Sequence, residues 1–110
     1  MAKGKIHDRI DETIHQRTRL AIMATLAGVE SLDFNVLKAE LGLTDGNLST
    51  HLAALERAGY VRVLKSFRGR KPHTAIEIAA KGRKALNNYV SLLQGVLEPF
   101  WDNDHRRRRP

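Results

Sequence analysis

One hundred and ten residues with 42% hydrophobic content are enough to bury one core and leave little for a second. Nineteen Lys and Arg against twelve Asp and Glu give a net charge of +7, which points to a polyanion, nucleic acid first and an acidic membrane surface second. The lack of Cys excludes disulfides and thiolate chemistry and fits a cytoplasmic location, and no apolar run approaches the roughly 20 residues of a membrane span.

In chain order, Met1-Ala2-Lys3-Gly4-Lys5 is expected to be a disordered basic lead, without the apolar stretch of a signal peptide. Ile6, Ile10 and Ile14 recur at i, i+4, i+8, which predicts a first helix over 7–15. A second helix over 17–27, or an extension of the first, carries Leu20, Met23, Ala24 and Ala27 on one face and ends at Gly28. Ser31-Leu32 is a candidate third strand. Asp33 is placed to cap a helix over 34–41 whose Phe34, Leu37 and Leu41 face inward, with Gly42-Leu43 as the tight turn that follows.

The segment 43–61 is the most informative. Thr44 is placed to cap a helix on which Leu48, Leu52 and Leu55 form an apolar stripe at i, i+4, i+7, and Gly59 supplies the exit. The opposite face carries Gly46, Asn47, Thr50, Ala53 and Arg57, with Ser49 at its flank. A helix entering a major groove about 12 Å wide needs such a face, because long side chains would hold its axis away from the base edges. Its N-terminal N–H groups suit phosphate. Asp45 would repel phosphate, so it is expected either to cap locally or to accept from a cytosine amine.

Two alternating segments follow, 61–65 and 74–78, with Val61 and Val63 on one side and Ile76 and Ile78 likewise. Their connection, 66–73, holds Arg68, Arg70 and Lys71 with one Gly and one Pro. A helix with a small polar face beside a hairpin with a cationic tip can grip DNA at two points, the helix on base edges and the tip on phosphate or minor groove. Arg17, Arg57, Arg62 and Lys65 are secondary candidates for backbone contacts.

The last helix is predicted over 81–100. Leu86, Tyr89, Leu93, Val96 and Phe100 alternate in steps of three and four, a heptad seam with more apolar surface than a small domain needs. A dimer interface is expected there, with help from Ile6, Ile10 and Ile14; packing against the N-terminal helix accounts for part of the same surface. His105-Arg106-Arg107-Arg108-Arg109 is expected to be a disordered basic arm, either touching phosphate or simply solvated.

The block Ser49-Thr50-His51-Leu52-Ala53-Ala54-Leu55, followed by Ala58-Gly59-Tyr60-Val61, resembles the winged helix-turn-helix regulators of the MarR and ArsR type. More narrowly, the chain resembles the small one-domain winged-helix transcriptional regulators from about residue 11 to 93, in Ile14-His15, Arg19-Leu20, Leu43-Thr44-Asp45-Gly46-Asn47-Leu48-Ser49, Lys65-Ser66-Phe67, Lys71-Pro72 and Lys81-Gly82. Two departures stand out. ArsR metal sensors commonly carry a cysteine-containing motif that this chain lacks. Ala79 and Ala80 stand where the family often has a Thr capping the last helix, so that helix should fray at its start or be capped otherwise.

Catalysis and metal binding find no support in the residues. His7, His15, His51, His73 and His105 form no pair at helical metal spacing, and Ser49 and His51 diverge on a helix, so no nucleophile–base pair forms. His51 is expected at the helix flank, touching core or phosphate. No enzymatic activity, metal or cofactor is assigned.

The expected fold is α+β, mainly α: one winged helix-turn-helix domain over 1–110, with a core at 11–80, a two- or three-stranded wing, a long C-terminal dimerisation helix at 81–100 and a basic tail at 101–110. The expected function is a sequence-specific, homodimeric, double-stranded DNA-binding transcriptional regulator. Its reading helix would be 44–59 and its wing 66–73. The alternative is a winged-helix module for protein assembly or non-specific nucleic-acid packaging, which would need charge but no reading face.

Overall fold

The computed structural model describes residues 4–108. Helix α1 spans Ile6–Arg9, α2 Arg17–Ala27, α3 Phe34–Leu41, α4 Asp45–Arg57 and α5 Ala80–Arg108, with strands β1 Leu32–Asp33, β2 Val61–Arg68 and β3 Lys71–Ile78. The strands form one antiparallel sheet in the order β1-β3-β2. The architecture is a winged helix-turn-helix, mainly helical, with a third short strand and a long final helix.

One core joins the elements. Ile14, Ile22, Met23, Leu26, Leu37, Leu48, Leu52, Leu55, Val61, Ile76, Ile78, Leu86 and Tyr89 are all buried. The stripe Leu48, Leu52, Leu55 therefore holds α4 against the domain by one face and leaves the other in solvent. In α2 the inward face is Ile22, Met23 and Leu26, whereas Ala24, expected inside, is exposed. The larger side chains take the core because they remove more apolar area from water.

The N-terminal segment departs from expectation. The helix stops at Arg9, and Ile10 and Ile14 do not share a helix face. Asp11 ends it by accepting from the backbone N–H of Thr13 at 2.9 Å and of Ile14 at 3.2 Å, so the chain turns and drops Ile14 into the core. A short Asp side chain that satisfies nearby N–H groups competes with helix in this way.

The wing is more regular than its composition suggests. The strands pair to the tip, Ser66 with His73, Phe67 with Pro72 and Arg68 with Lys71, so 66–73 is not a loop. Only Gly69 and Arg70 turn the chain. Gly69 has φ 64°, which suits the first central position of a two-residue hairpin turn. Pro72 lies beyond the two-residue reach of β1, where β3 is an edge and proline is tolerated.

The start of α5 packs on the backbone of Tyr60. The backbone N–H of Ala79 donates to the Tyr60 carbonyl at 2.9 Å, and that carbonyl lies against Gly82. The far end corrects the expected stop near Phe100. The helix runs on to Arg108, through the predicted tail. Pro99 interrupts its hydrogen-bond ladder, but the residues beyond contain no breaker before Pro110, and basic residues favour the negative end of a helix dipole. The basic lead before Gly4 and the tail residues Arg109 and Pro110 lie outside the described residues.

Candidate nucleic-acid interface

Each end of α4 is held by a specific contact. The Thr44 hydroxyl accepts from the Asn47 N–H at 3.1 Å, as expected of its cap position. Gly59 leaves the helix with φ 80°. Asp45 does not cap; its carboxylate pairs with the Lys38 ammonium of α3 at 2.7 Å. Lys38 thereby neutralises the one acid in the first turn of α4 and ties the two arms of the helix-turn-helix together. Sequence reasoning missed Lys38, because the pair spans a turn whose angle sets the distance.

Gly46, Asn47, Ser49, Thr50, Ala53 and Arg57 are all exposed. A Cβ at Gly46 would meet nothing within 4 Å, so packing within the described residues does not require its smallness. The Thr50 hydroxyl donates to the Gly46 carbonyl at 2.9 Å, which leaves its oxygen lone pair and methyl group to face outward. On the helix barrel Gly46, Thr50, Ala53 and Arg57 lie opposite the buried leucines. Ser49 sits to one side, toward the wing.

A groove of about 500 Å³ separates α4 from the wing, with Ser49, Ala53 and Glu56 on the helix side and Val63, Lys65 and Thr74 on the sheet side. At the hairpin end Arg68, Arg70 and Lys71 are exposed, and among the described residues none of them forms an ion pair. Arg62, a secondary candidate, instead pairs with Glu77 across the strands at 2.7 Å. The wing is also tied at its flank. Asp33, expected to cap α3, makes no capping bond; its carboxylate meets His73 Nε2 at 3.1 Å.

His51 sits at the helix flank, half-buried, with Nδ1 3.3 Å from the Arg19 guanidinium. Burial and then the Arg19 charge hold its pKa below the usual histidine value. Arg19 also donates from Nε to the Thr13 carbonyl at 2.6 Å, so it links the turn before α2 to α4. The neutral His51 ring is a packing and hydrogen-bonding group here.

The seam expected on α5 divides in two. Leu86 (7% exposed), Tyr89 (5%) and Ile14 (0%) belong to the chain's own core, so they are not available to a second chain. Tyr89 further bonds through its hydroxyl to His15 Nδ1 at 2.7 Å. Ile10, Leu93 and Val96 are half-buried, while Val90, Leu97, Phe100 and Trp101 are exposed. The heptad count could not make this division, because it depends on where α5 passes the end of the domain. No described helix is long and apolar enough to cross a membrane, and no group of three or more His, Asp or Glu among the described residues could hold a metal ion.

Residues 18–97 match the family described as winged helix DNA-binding domain. The chain is 47% identical over 72 residues to an uncharacterized protein of Methanocaldococcus jannaschii, covering 66% of this chain and 78% of that one. Among solved structures it is similar to a transcriptional regulator homologue from Pyrococcus horikoshii, with TM-score 0.78 and 31% identity, over 82% of this chain and 89% of that one. It shares its fold with a MarR-family transcriptional regulator of Enterococcus faecalis, with TM-score 0.70 and 24% identity, over 86% of this chain and 84% of that one.

Proposed function

Because the chain belongs to the winged helix DNA-binding domain family, we propose that it is a sequence-specific transcriptional regulator that binds double-stranded DNA as a homodimer. The observation that carries the reading is the exposed small polar face of α4 next to an exposed, unpaired cationic hairpin tip. In this reading Asn47, Ser49 and Thr50 face base edges in the major groove. Thr44 and Gly46 bring the first turn of α4 close to the backbone, with Asp45 kept from repelling it by Lys38. Arg57, Arg68, Arg70 and Lys71 take phosphates, the last three at the adjacent minor groove. The protein would act in the cytoplasm, and no catalytic role is assigned to it.

The dimer rests on the second half of α5. Val90, Leu93, Leu97 and Phe100 form one stripe at i, i+3, i+7, i+10, beside Val96, and Val90, Leu97 and Phe100 in it are exposed. Two such helices packed together would present two copies of α4 to half-sites roughly 34–36 Å apart.

The test is the ratio of affinities for a duplex selected from genomic fragments and for a random duplex, at one salt concentration. A ratio of about 10³ or more is expected of a regulator. A ratio near one would favour packaging or assembly, for which the polar face of α4 has no use.

A further inference from the structure

Beyond the groove, the inner face of the hairpin ends in an apolar pair. Cross-strand partners on that face are Val61 with Ile78, Val63 with Ile76, Lys65 with Thr74 and Phe67 with Pro72, since every second residue shares a side. The first pairs are core or lie against it, and Lys65 and Thr74 line the groove. Phe67 is 72% exposed. It directly precedes Arg68, whose partner is Lys71, with Arg70 in the turn between. A phenyl ring backed by a proline thus projects from the one part of the wing where three cations concentrate.

Arg68 and Lys71 alternate to the opposite side of the hairpin from Phe67, so a groove that closes on the tip from both sides meets cations on one side and the ring on the other. The apolar surfaces that a duplex offers beside its phosphates are the deoxyribose walls of the minor groove and the faces of base pairs at a step that opens. The ring lies on the same face of the hairpin as Val63, Lys65 and Thr74, which line the groove beside α4.

We propose that Phe67, braced by Pro72, is an apolar wedge that the wing cations press into the minor groove of bound DNA, packing on deoxyribose and partly unstacking one base step. This rests on the wing contacting DNA. The wedge bends the duplex and favours a flexible pyrimidine–purine step under the wing, which selects sequence there without a hydrogen bond to a base.

The full chain and its selected duplex provide the test. End-to-end energy transfer on the duplex reports bending, and 2-aminopurine placed at the step under the wing reports unstacking. Wild type should shorten the end-to-end distance and brighten the 2-aminopurine. Phe67→Ala should bind about tenfold or more weakly, with an unchanged salt slope and most of the bend lost, whereas Phe67→Leu should keep the bend. Phe67→Ala that binds and bends like wild type, or wild-type complexes with neither bend nor brightening, would overturn the wedge. If, in addition, Arg68→Ala/Arg70→Ala/Lys71→Ala lowers the salt slope, the wing still touches DNA and only the wedge fails. If that triple variant leaves the slope unchanged, or wild type binds no duplex, the wing reading fails and takes the wedge with it.

Discussion

The Tyr60 hydroxyl donates to the Asp11 carboxylate, tying the exit of α4 to the turn that precedes α2. Its backbone carbonyl accepts from Ala79 at the start of α5, and the Lys81 ammonium lies 5.9 Å from the centre of its ring. One residue therefore ties the candidate reading helix to both the turn before α2 and the start of α5. Burial first, then the hydrogen bond and the negative charge of Asp11, push the Tyr60 hydroxyl up to about 12.

Tyr60→Phe should lower stability by about 1.5–3 kcal/mol, the order of a hydrogen bond to a charged group. The pKa is raised in the folded state, so the associated stability is complete below the unfolded value of 10.0 and is lost as pH rises toward about 12. Urea midpoints at pH 8 and 11 should therefore differ less in the variant than in wild type. Equal pH dependence in both proteins would contradict the Asp11 link.

Gly82→Ala has two opposing effects. Helix propensity alone favours Ala by about 1 kcal/mol. A Cβ at this position, however, would lie 2.8 Å from the Tyr60 carbonyl carbon, and a backbone group cannot swing aside as a long side chain can. The clash should win, lowering the melting temperature. A variant as stable as wild type would show that α5 can slide away from Tyr60.

His51 predicts an acid-side effect. Its folded pKa is lowered by burial and by Arg19, so its stability contribution is present above the unfolded value of 6.5 and is lost as pH falls through the folded value. The urea midpoint should drop between pH 7.5 and 5.5, and drop less in His51→Gln. A midpoint that His51→Gln leaves equally sensitive would assign the loss to other groups.

Within the proposed interface, reading and gripping should separate. Asn47→Ala or Thr50→Ala should cost roughly 1–3 kcal/mol on the preferred duplex and little on random DNA, while neutralising one wing cation should weaken all duplexes and lower the salt slope by about one. Lys38→Ala exposes an unpaired Asp45 at the helix start, so it should weaken binding to every sequence, most of all at low salt. Titrations at several salt concentrations distinguish the three patterns.

Leu97→Glu and Leu93→Glu should split the proposed dimer at micromolar concentration in sedimentation, since each buried apolar side chain contributes about 1.5–3 kcal/mol. Leu86→Glu should instead unfold the domain, because Leu86 is 7% exposed within one chain. A wild-type monomer at that concentration would leave the exposed end of α5 without its proposed role.

Residues whose fate depends on near neighbours were legible in the sequence. Thr44 caps, Leu48, Leu52 and Leu55 point inward, and Gly42 and Gly59 end their helices, because caps, stripes and left-handed exits are decided within a few residues. The same locality marked Gly46, Asn47, Ser49 and Thr50 as an outward face. Composition misled at the wing, where a polar run hid paired strands, since cross-strand bonding needs a partner and a turn but no hydrophobicity.

Tertiary structure decided what distance and direction decide. Lys38 reaches Asp45 and His73 reaches Asp33 only because α3, β1 and the wing meet at one place, and Asp11 ends α1 while also serving Tyr60 from the far side of the core. The apolar seam of α5 looks uniform in one dimension. Yet Leu86 and Tyr89 face a domain that ends before Leu97 and Phe100, so one repeat is split between core and solvent. Along a formed helix such as α5, periodicity sets which face a residue takes. Only the packed chain determines what that face meets.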